Sequence, residues 1–220
     1  MIDAVVVPRG PEERAVRRAL RRARSEVAVV TCGIGADAAA RAAVGIATLP
    51  LRRALATGLC GLLSPAFVVG DVLLYRDVRT QADGALALDN VLSSALAARL
   101  PGAQSGIAAL TVDRIVTRAK AKHVLRERYG ADAVDMETWA LASGLKDAGI
   151  ALAALRVGSD ASDDDLPDLD SAVSSDGRIG GFAVARACAR RPRAGVKLAW
   201  HGVRALRALE RAVFDVVRAA

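Results

Sequence analysis

Short apolar segments of strand length alternate with longer amphipathic segments along most of this chain. Apolar residues spaced at three and four predict helices, whereas short apolar runs bounded by glycine or proline predict buried strands. This alternation predicts an α/β protein with a central mixed β-sheet and helices on both faces, in three layers. The predicted strands cover residues 4–7, 26–32, 53–57, 71–75, 106–110, 113–117, 131–135 and 150–157, and the predicted helices cover residues 12–22, 36–48, 88–99, 118–129 and 138–149.

Length and composition fit one domain. At 220 residues the chain can bury one sizeable core, and nothing in the sequence marks a second. Cys32, Cys60 and Cys188 fit no metal-ligand or redox spacing, and His123 and His201 are not spaced for a metal. We therefore expect a reduced, cytoplasmic protein without a metal site, because the sequence also shows no signal peptide and no apolar run that spans a bilayer.

Two carboxylates follow predicted strands. Residues 134–138 read VDMET and, after one helix-length interval, residues 155–160 read LRVGSD. Open α/β sheets bind ligands outside the carboxyl ends of their strands, so we expect Glu137 and Asp160 at neighbouring strand tips in a ligand site. The alternative is that Glu137 only caps the following helix, where unpaired amides and the helix dipole stabilise an acid.

A glycine turn joins the second predicted strand to the second predicted helix. Gly33, Gly35 and Ala38 match the spacing of a dinucleotide fingerprint, but no acidic residue between Asp37 and Asp71 is available to bind a ribose hydroxyl. We therefore expect no nicotinamide cofactor. The amides of such a turn can form an anion-binding concavity for phosphate or ribose oxygens, and a tight turn also favours glycine for steric reasons alone.

Four motifs carry a family resemblance through their order and spacing. TGLCGLLSP, VGDVL, AVDMET and RVGSD occupy residues 57–65, 69–73, 133–138 and 156–160. Together they resemble the purine nucleoside phosphorylase and methylthioadenosine nucleosidase superfamily, over about residues 5–190. The closest likeness is to the hopanoid-associated branch, carried by GLCGL within the first motif, by residues 112–116 and by Asp176-Gly177-Arg178-Ile179.

The resemblance implies a phosphorylase/hydrolase-like fold and cleavage of the N-glycosidic bond of a purine nucleoside. The favoured substrate is adenosylhopane, a lipid-linked adenine nucleoside of hopanoid biosynthesis. The alternatives are a small nucleoside such as methylthioadenosine, S-adenosylhomocysteine or futalosine, and a non-catalytic nucleoside- or lipid-binding protein. Family members need no cofactor beyond inorganic phosphate as a possible co-substrate, and they form homo-oligomers.

The resemblance also assigns residues to the substrate. It implies that Asp160 protonates or hydrogen-bonds purine N7 and that Glu137 binds the ribose hydroxyls. Leu59 replaces a serine of nucleosidases, and Ile115 replaces an aromatic residue beneath the base. The full set implied to contact the substrate is Met136, Glu137, Ser159, Ile115, Gly58 and Leu59.

The proton on Asp160 needs a physical source. For Asp160 to donate near neutral pH, its neutral form must be favoured, which burial or a neighbouring carboxylate can do. Asp163 is the nearest carboxylate in sequence. Residues 163–165 can equally form a solvated acidic loop, which is the commoner use of such a run.

The attacking group is left open between water and phosphate. Glu12 resembles the glutamate that activates water in nucleosidases, whereas Gly10 and Arg14 resemble a phosphate-binding pair in phosphorylases. A carboxylate suits a water that must lose a proton, and a guanidinium suits phosphate. Ala56 stands where some phosphorylases have an arginine, which weakens the case for phosphate. The residues assigned to a phosphate or water site are Gly10, Arg14, Gly33 and Gly35.

The positive charge of the chain is concentrated in its last segment. Residues 178–220 carry ten Lys plus Arg against two acids, whereas the whole chain has a net charge of +7. We predict a catalytic domain over residues 1–190 and a basic amphipathic helix within residues 191–220. Its apolar residues recur at helical spacing: Trp200, Val203, Leu206, Leu209, Val213 and Val217.

Three partners suit such a helix. It can dock on its own domain, pack against a partner subunit, or bind an anionic membrane peripherally. Most amphipathic helices bury their apolar stripe in protein, which favours the first two. Nucleic acid is not expected, because aromatic residues make up only 3% of the chain and no binding motif is present.

Overall fold

The computed structural model describes residues 2–82, 84–168 and 181–218. Strands and helices alternate as the sequence pattern predicts. The strands are β1 Ala4–Pro8, β2 Ala28–Cys32, β3 Arg53–Leu62, β4 Val72–Thr80, β5 Ala85–Ala87, β6 Gln104–Thr111, β7 Ala133–Asp135 and β8 Ala151–Asp160. The helices are α1 Pro11–Ala23, α2 Ala36–Ala47, α3 Asn90–Arg99, α4 Ala119–Tyr129, α5 Thr138–Asp147, α6 Gly181–Arg190 and α7 Pro192–Val217.

The eight strands form one mixed sheet that closes on itself. Along the main path the order is β2-β1-β3-β7-β6-β4-β5, and β8 pairs with both β3 and β4. The pairs β3–β8, β8–β4, β4–β6, β6–β7 and β7–β3 therefore complete a ring. Ring closure gives each of these strands two partners, which leaves only the outer strands as sheet edges.

Two apolar cores lie on opposite sides of the sheet. Side chains alternate along a strand, so on β1 Val6 packs in one core while Val5 and Val7 pack in the other. The first core includes buried residues of α2 and α5, and the second includes those of α1, α3 and α7. The predicted three-layer α/β architecture is thereby confirmed.

One predicted strand is wrong, and others differ in length. Residues 113–117 form no strand: the chain leaves the sheet after Thr111, and the Val112 amide donates to the Asp135 carbonyl at 2.9 Å. β3 extends beyond its predicted end at residue 57 to Leu62, because β8 pairs with it from Arg53 up to Gly61. The short β5 and α6 have no counterpart in the sequence prediction. Residues 176–179, which contribute to the hopanoid likeness, lie outside the described residues.

The amphipathic C-terminal helix is present, and its stripe packs only in part. Leu209 and Val213 are buried against the core that α1 shares, and Glu210 pairs with Arg18 and Arg22 of α1 at 2.8 and 3.1 Å. Trp200, in the first half of α7, is instead 65% exposed. The helix therefore docks on its own domain through its second half and leaves apolar residues of its first half uncovered. Within the described residues, no helix is long and apolar enough to cross a membrane.

The contact between α2 and α5 depends on a glycine. A Cβ at Gly144 of α5 would lie 2.7 Å from the Cβ of Ala43 on α2, whereas a Cβ at Gly45 of α2 would meet nothing within 4 Å. We expect Gly144→Ala to lower the free energy of unfolding by about 1–3 kcal/mol through overpacking. Gly45→Ala should raise it by about 0.5–1 kcal/mol, because alanine favours helix. Denaturant titration measures both, and equal effects of the two variants would contradict the close packing.

Candidate active site

A cavity of about 220 Å³ opens beside the carboxyl ends of β1 and β8. It is bordered by the start of α1, the turn after β2, the end of β3, β7 and the segment that follows β6. Much of the cavity wall is formed by residues that the sequence analysis assigned to substrate binding. The lining residues are Pro8, Glu12, Ile34, Leu59, Cys60, Gly61, Val112, Arg114, Ile115, Val116, Val134, Asp135, Met136, Glu137, Ser159, Asp160, Leu166 and Leu198.

A buried arginine organises the acidic side of this cavity. Arg156 of β8 is 1% exposed, and its Nε lies 3.5 Å from Asp135 Oδ2 while its Nη1 lies 3.4 Å from Glu137 Oε2. Its Nη2 also donates to Thr138 Oγ1 at 2.9 Å. Burial alone would lower the pKa of Arg156, but the charges of Asp135 and Glu137 raise it above its usual value. The guanidinium is therefore a fixed positive charge between carboxylates.

Glu137 does not cap the helix that follows it. It occupies the N-cap position of α5 without a side-chain capping bond, and Asp135 Oδ1 accepts instead from the Thr138 amide at 3.2 Å. Glu137 Oε1 accepts from the Gly35 amide at 3.1 Å. Burial raises the pKa of Glu137, Arg156 opposes this rise, and Asp135 adds to it. The capping alternative is thus wrong, and the glycine turn after β2 binds the carboxylate of Glu137.

Glu12 faces the same cavity from the first turn of α1. Its Oε1 accepts from the Leu59 amide at 2.8 Å. Burial raises the pKa of Glu12 to about 7. The hydrogen bond from Leu59 and the charge of Arg156 oppose this rise, and the charge of Glu137 adds to it. A Cβ at Gly58 would lie 2.8 Å from both Glu12 Oε1 and Arg156 Nη1, so only glycine fits between these charged groups. A carboxyl with a pKa near 7 can take up and release a proton at physiological pH.

Asp160 lies at the end of β8, 6% exposed, with an ammonium group as its neighbour. Lys122 of α4 forms an ion pair with Asp160 Oδ2, and Ser159 Oγ lies 2.7 Å from Asp160 Oδ1. Asp163 is exposed. The expectation of a neighbouring carboxylate that favours the neutral form of Asp160 is therefore wrong, because the close charged partner is a cation.

The acidic run after β8 is not wholly solvated. Asp164 is 2% exposed; it pairs with Lys197, and its Oδ2 lies 3.3 Å from His201 Nδ1. Burial opposes ionisation of Asp164, but the bond from Lys197 and further contacts lower its pKa below the usual value. This pairing holds the loop after β8 against α7, so that Leu166 and Leu198 both reach the cavity wall.

The structure brings most of the assigned residues to one place. Gly58 lies directly behind Glu12, whereas Arg14 is exposed on α1 and Gly10 has open space around it. None of Gly10, Arg14, Gly33 and Gly35 borders the cavity, although Gly35 binds Glu137. The cavity wall contains Glu12, Leu59, Ile115, Met136, Glu137, Ser159 and Asp160.

The relative placement of the two carboxylates differs from the expectation. Glu137 follows β7 and Asp160 ends β8, and these two strands are not paired with each other. β3 lies between them, and Gly61 of β3 is in register with both Val134 and Asp160. The two acids thus reach one cavity from either side of a shared strand.

Sequence reasoning gave no role to Arg156 or Lys122. Arg156 interrupts an otherwise apolar strand, and a charge in a buried strand is a signal that could have been used. Lys122 carries no such signal, because it lies in a polar helix beside the exposed Lys120. Among the described residues, no group of His, Cys, Asp and Glu side chains is arranged to hold a metal ion.

Comparison with known proteins places this fold among nucleoside-cleaving enzymes. The chain is similar to the 5'-methylthioadenosine/S-adenosylhomocysteine nucleosidase of Helicobacter pylori in complex with butyl-thio-DADMe-Immucillin-A, with a TM-score of 0.73, 13% identity, and 99% and 98% of the two chains covered. It is similar to the futalosine hydrolase of the same organism, with a TM-score of 0.74, 12% identity, and 98% and 97% covered. It is also similar to the Neisseria meningitidis 5'-methylthioadenosine/S-adenosylhomocysteine nucleosidase in complex with methylthio-immucillin-A, with a TM-score of 0.72, 17% identity, and 98% of each chain covered.

These likenesses show a shared fold over nearly the whole chain. No curated protein matches the sequence. Residues 3–187 match the family model of the phosphorylase superfamily. Because this match spans most of the chain, the protein belongs to the phosphorylase superfamily and is an enzyme of the nucleoside phosphorylase and nucleosidase type.

Proposed function

We propose that this protein hydrolyses the N-glycosidic bond of an adenine nucleoside with an apolar 5′ substituent. The observation that carries the proposal is the placement of Glu12, Glu137 and Asp160 in the wall of one cavity. Cleavage builds positive charge on the sugar and negative charge on the leaving base. Carboxylates near the sugar and a proton source near the base meet both needs.

Each acid has a separate role in this mechanism. Glu12 takes a proton from water, whose oxygen bonds to C1′ while the bond from C1′ to the base nitrogen breaks. The electron pair of that bond goes to the base, which receives a proton through Asp160. Glu137 accepts hydrogen bonds from the ribose hydroxyls and, with Glu12, offsets the positive charge that develops on the sugar.

The position of the basic residues favours water over phosphate as the attacking group. Arg14 is exposed outside the cavity wall, and the Gly35 amide already donates to Glu137. The cation that lines the wall is Arg114, which adjoins Ile115 on the side that the family likeness assigns to the base. The guanidinium near Glu12 is that of Arg156, which does not line the cavity and already pairs with Asp135 and Glu137. A dianionic phosphate beside Glu12 would therefore face carboxylates without a free guanidinium to balance its charge.

Apolar side chains around the cavity favour a substrate with an apolar 5′ group. A second cavity of about 680 Å³ lies beside the same segment and shares Val112, Arg114, Ile115 and Val116 with the first. We propose adenosylhopane as the favoured substrate, following the hopanoid-branch likeness. Small nucleosides are the main alternative, because the similar structures are named for methylthioadenosine, S-adenosylhomocysteine and futalosine. Apolar residues of the wall that the family likeness gives no role include Ile34, Val112, Val116, Leu166 and Leu198.

A lipid-linked substrate would suit a protein that touches a membrane. Trp200 and Val203 of α7 line one shallow groove together with Arg204, Arg207 and Arg211. An exposed indole flanked by arginines matches the chemistry of an anionic membrane surface. We therefore propose that the first half of α7 contacts anionic lipid.

The homo-oligomer and the cytoplasmic location remain predictions. Light scattering tests the first, and cell fractionation tests the second.

We expect release of free adenine to need ionised Glu12 and no phosphate. Because Glu12 has a pKa of about 7 and acts as a base, kcat/KM should fall about tenfold per pH unit below 7 and level off above it. Glu12→Gln should lower kcat/KM about 10² to 10⁴-fold. The matched control is Glu13→Gln, since Glu13 pairs with Arg17 on the surface of the same helix. Chromatography of the released base, with and without phosphate, measures these effects.

The outcome of that assay also separates the alternatives. A requirement for phosphate, with ribose 1-phosphate as product, would replace hydrolysis by phosphorolysis. Comparing adenosine, methylthioadenosine, inosine and an adenosine with a long apolar 5′ chain identifies the substrate class. Tight binding of a nucleoside without release of base would support the non-catalytic alternative.

We expect Glu137→Gln to discriminate between ribose and deoxyribose. A carboxylate that binds both ribose hydroxyls contributes about 1.5–3 kcal/mol per charged hydrogen bond, so ribonucleosides should lose at least tenfold more in kcat/KM than 2′-deoxy analogues. Steady-state kinetics on a matched pair of nucleosides measures the difference. Equal losses on both substrates would remove Glu137 from ribose recognition.

We expect the protein to sediment with anionic vesicles at low salt and less at high salt. Arginines near an anionic surface contribute about 1 kcal/mol each, so changing Arg204, Arg207 and Arg211 to Glu should release it. The control changes three exposed arginines elsewhere to Glu and alters the net charge equally; they are Arg21, Arg41 and Arg126. Equal release by both sets would show general charge attraction, and no sedimentation at all would contradict membrane contact.

Trp200→Ala separates membrane contact from packing. Because this indole is 65% exposed, the variant should keep the free energy of unfolding within about 0.5 kcal/mol while weakening sedimentation with vesicles. Thermal melts run beside the sedimentation assay test this. A large loss of stability would show that the indole packs within the protein.

A further inference from the structure

Lys122 is fully buried, yet it carries a chemical group that proteins rarely bury without a partner. Its Nζ contacts the carboxylate of Asp160 and donates to the carbonyl of Ala161 at 2.6 Å. Asp160 borders the cavity, whereas Lys122 does not. The ammonium therefore lies behind the carboxylate, on the side away from the substrate.

This arrangement changes what Asp160 can do. A carboxylate paired with an ammonium group is ionised and accepts hydrogen bonds, so it holds no proton of its own to donate. The leaving base of a purine nucleoside nevertheless needs a proton. Two protons lie one hydrogen bond away from Asp160, on the Ser159 hydroxyl and on the Lys122 ammonium, and the ammonium is the stronger acid of the two.

We propose that Lys122 stores the proton that Asp160 passes to the leaving base. The inference rests on the proposed function. An N–H bond of Lys122 breaks and leaves its electron pair on nitrogen while the proton bonds to Asp160 Oδ2. The carboxyl then turns about its Cβ–Cγ bond, and the O–H bond breaks as the proton bonds to the base nitrogen. When products leave, Lys122 regains a proton from water, and Glu12 returns to water the proton that it took. Lys122 acts through Asp160 and is therefore a positioning residue.

The ionisation of Glu12 explains why a separate group is needed to hold the proton for the base. Water is activated only where Glu12 is ionised, which is above about pH 7. A lone carboxylic acid is largely deprotonated at that pH, whereas a lysine ammonium normally keeps its proton to about pH 10. A proton held on an ammonium group is therefore available in the pH range in which Glu12 works, where a proton held on a lone carboxyl is not.

Other titratable groups near the pair do not supply this proton. From β3, burial raises the pKa of the Cys60 thiol to about 12, so the thiol remains neutral. From β7 and β8, Asp135 and Arg156 are paired with each other. In the loop after β8, Asp164 Oδ2 accepts from the Ala161 amide at 3.0 Å. That carboxylate also binds Lys197 and His201 of α7, and Glu137 is held by Gly35 and Arg156.

The test compares two substrates that differ in their need for a proton. Adenosine, or the best purine nucleoside found, needs protonation of its base, whereas 4-nitrophenyl β-ribofuranoside releases a stable anion. Lys122→Met removes the charge, and Lys122→Arg keeps the charge and the donors but cannot release a proton. We expect Lys122→Arg to lower kcat/KM about 10² to 10⁴-fold for the purine nucleoside and less than tenfold for the nitrophenyl riboside. Lys122→Met should lose purine turnover at a lower pH than the native enzyme, because its lone carboxyl deprotonates first.

The native enzyme provides a measurement that needs no variant. Its kcat/KM for the purine nucleoside should stay level from about pH 7.5 to about pH 9. A fall that begins below pH 8, or losses in both variants that are equal on the two substrates, would overturn the role of Lys122. Failure of the native protein to cleave either substrate would instead contradict the proposed function.

Discussion

The buried charge of Arg156 is the interaction on which the rest of the site depends. It lies in a central strand with carboxylates of Asp135 and Glu137 beside it, and Glu12 lies within range of its charge. Burying an isolated ion costs several kcal/mol, and the attraction between partners compensates only when the geometry is well fixed. The absence of a side chain at Gly58 is part of that geometry, because it lets Glu12 and Arg156 approach across β3. Strand pairing, the glycine turn after β2 and the start of α5 all converge on this cluster.

The site contains two charge systems with different properties. Around Arg156, carboxylates outnumber the cation, and the pKa of both Glu12 and Glu137 is raised by burial. Around Asp160, one carboxylate faces one ammonium. The first system suits a sugar that becomes positive, and the second suits a base that becomes negative. Arg156 and Asp160 both belong to β8, so one strand contributes a charged residue to each system.

The C-terminal helix links the site to the protein surface. Asp164 pairs with Lys197 and His201, which fixes the loop after β8 on α7 and brings Leu198 to the cavity. The second half of the same helix packs on α1, while Trp200 stays exposed. One helix therefore borders the cavity and also presents uncovered apolar side chains at the surface.

The sequence by itself determined the alternation of strands and helices, because element type depends on residues close together in the chain. Its family resemblance also pointed to Glu12, Glu137 and Asp160, which the structure places in the wall of one cavity. Only the tertiary structure decided which groups pair. Closure of the sheet through β8, the absence of a strand at residues 113–117, and the half-docked state of α7 depend on partners far away in sequence. The contact of Lys122 with Asp160 joins residues 38 apart through a helix that looks solvated. Burial and pairing of charges depend on surfaces that come together from distant parts of the chain.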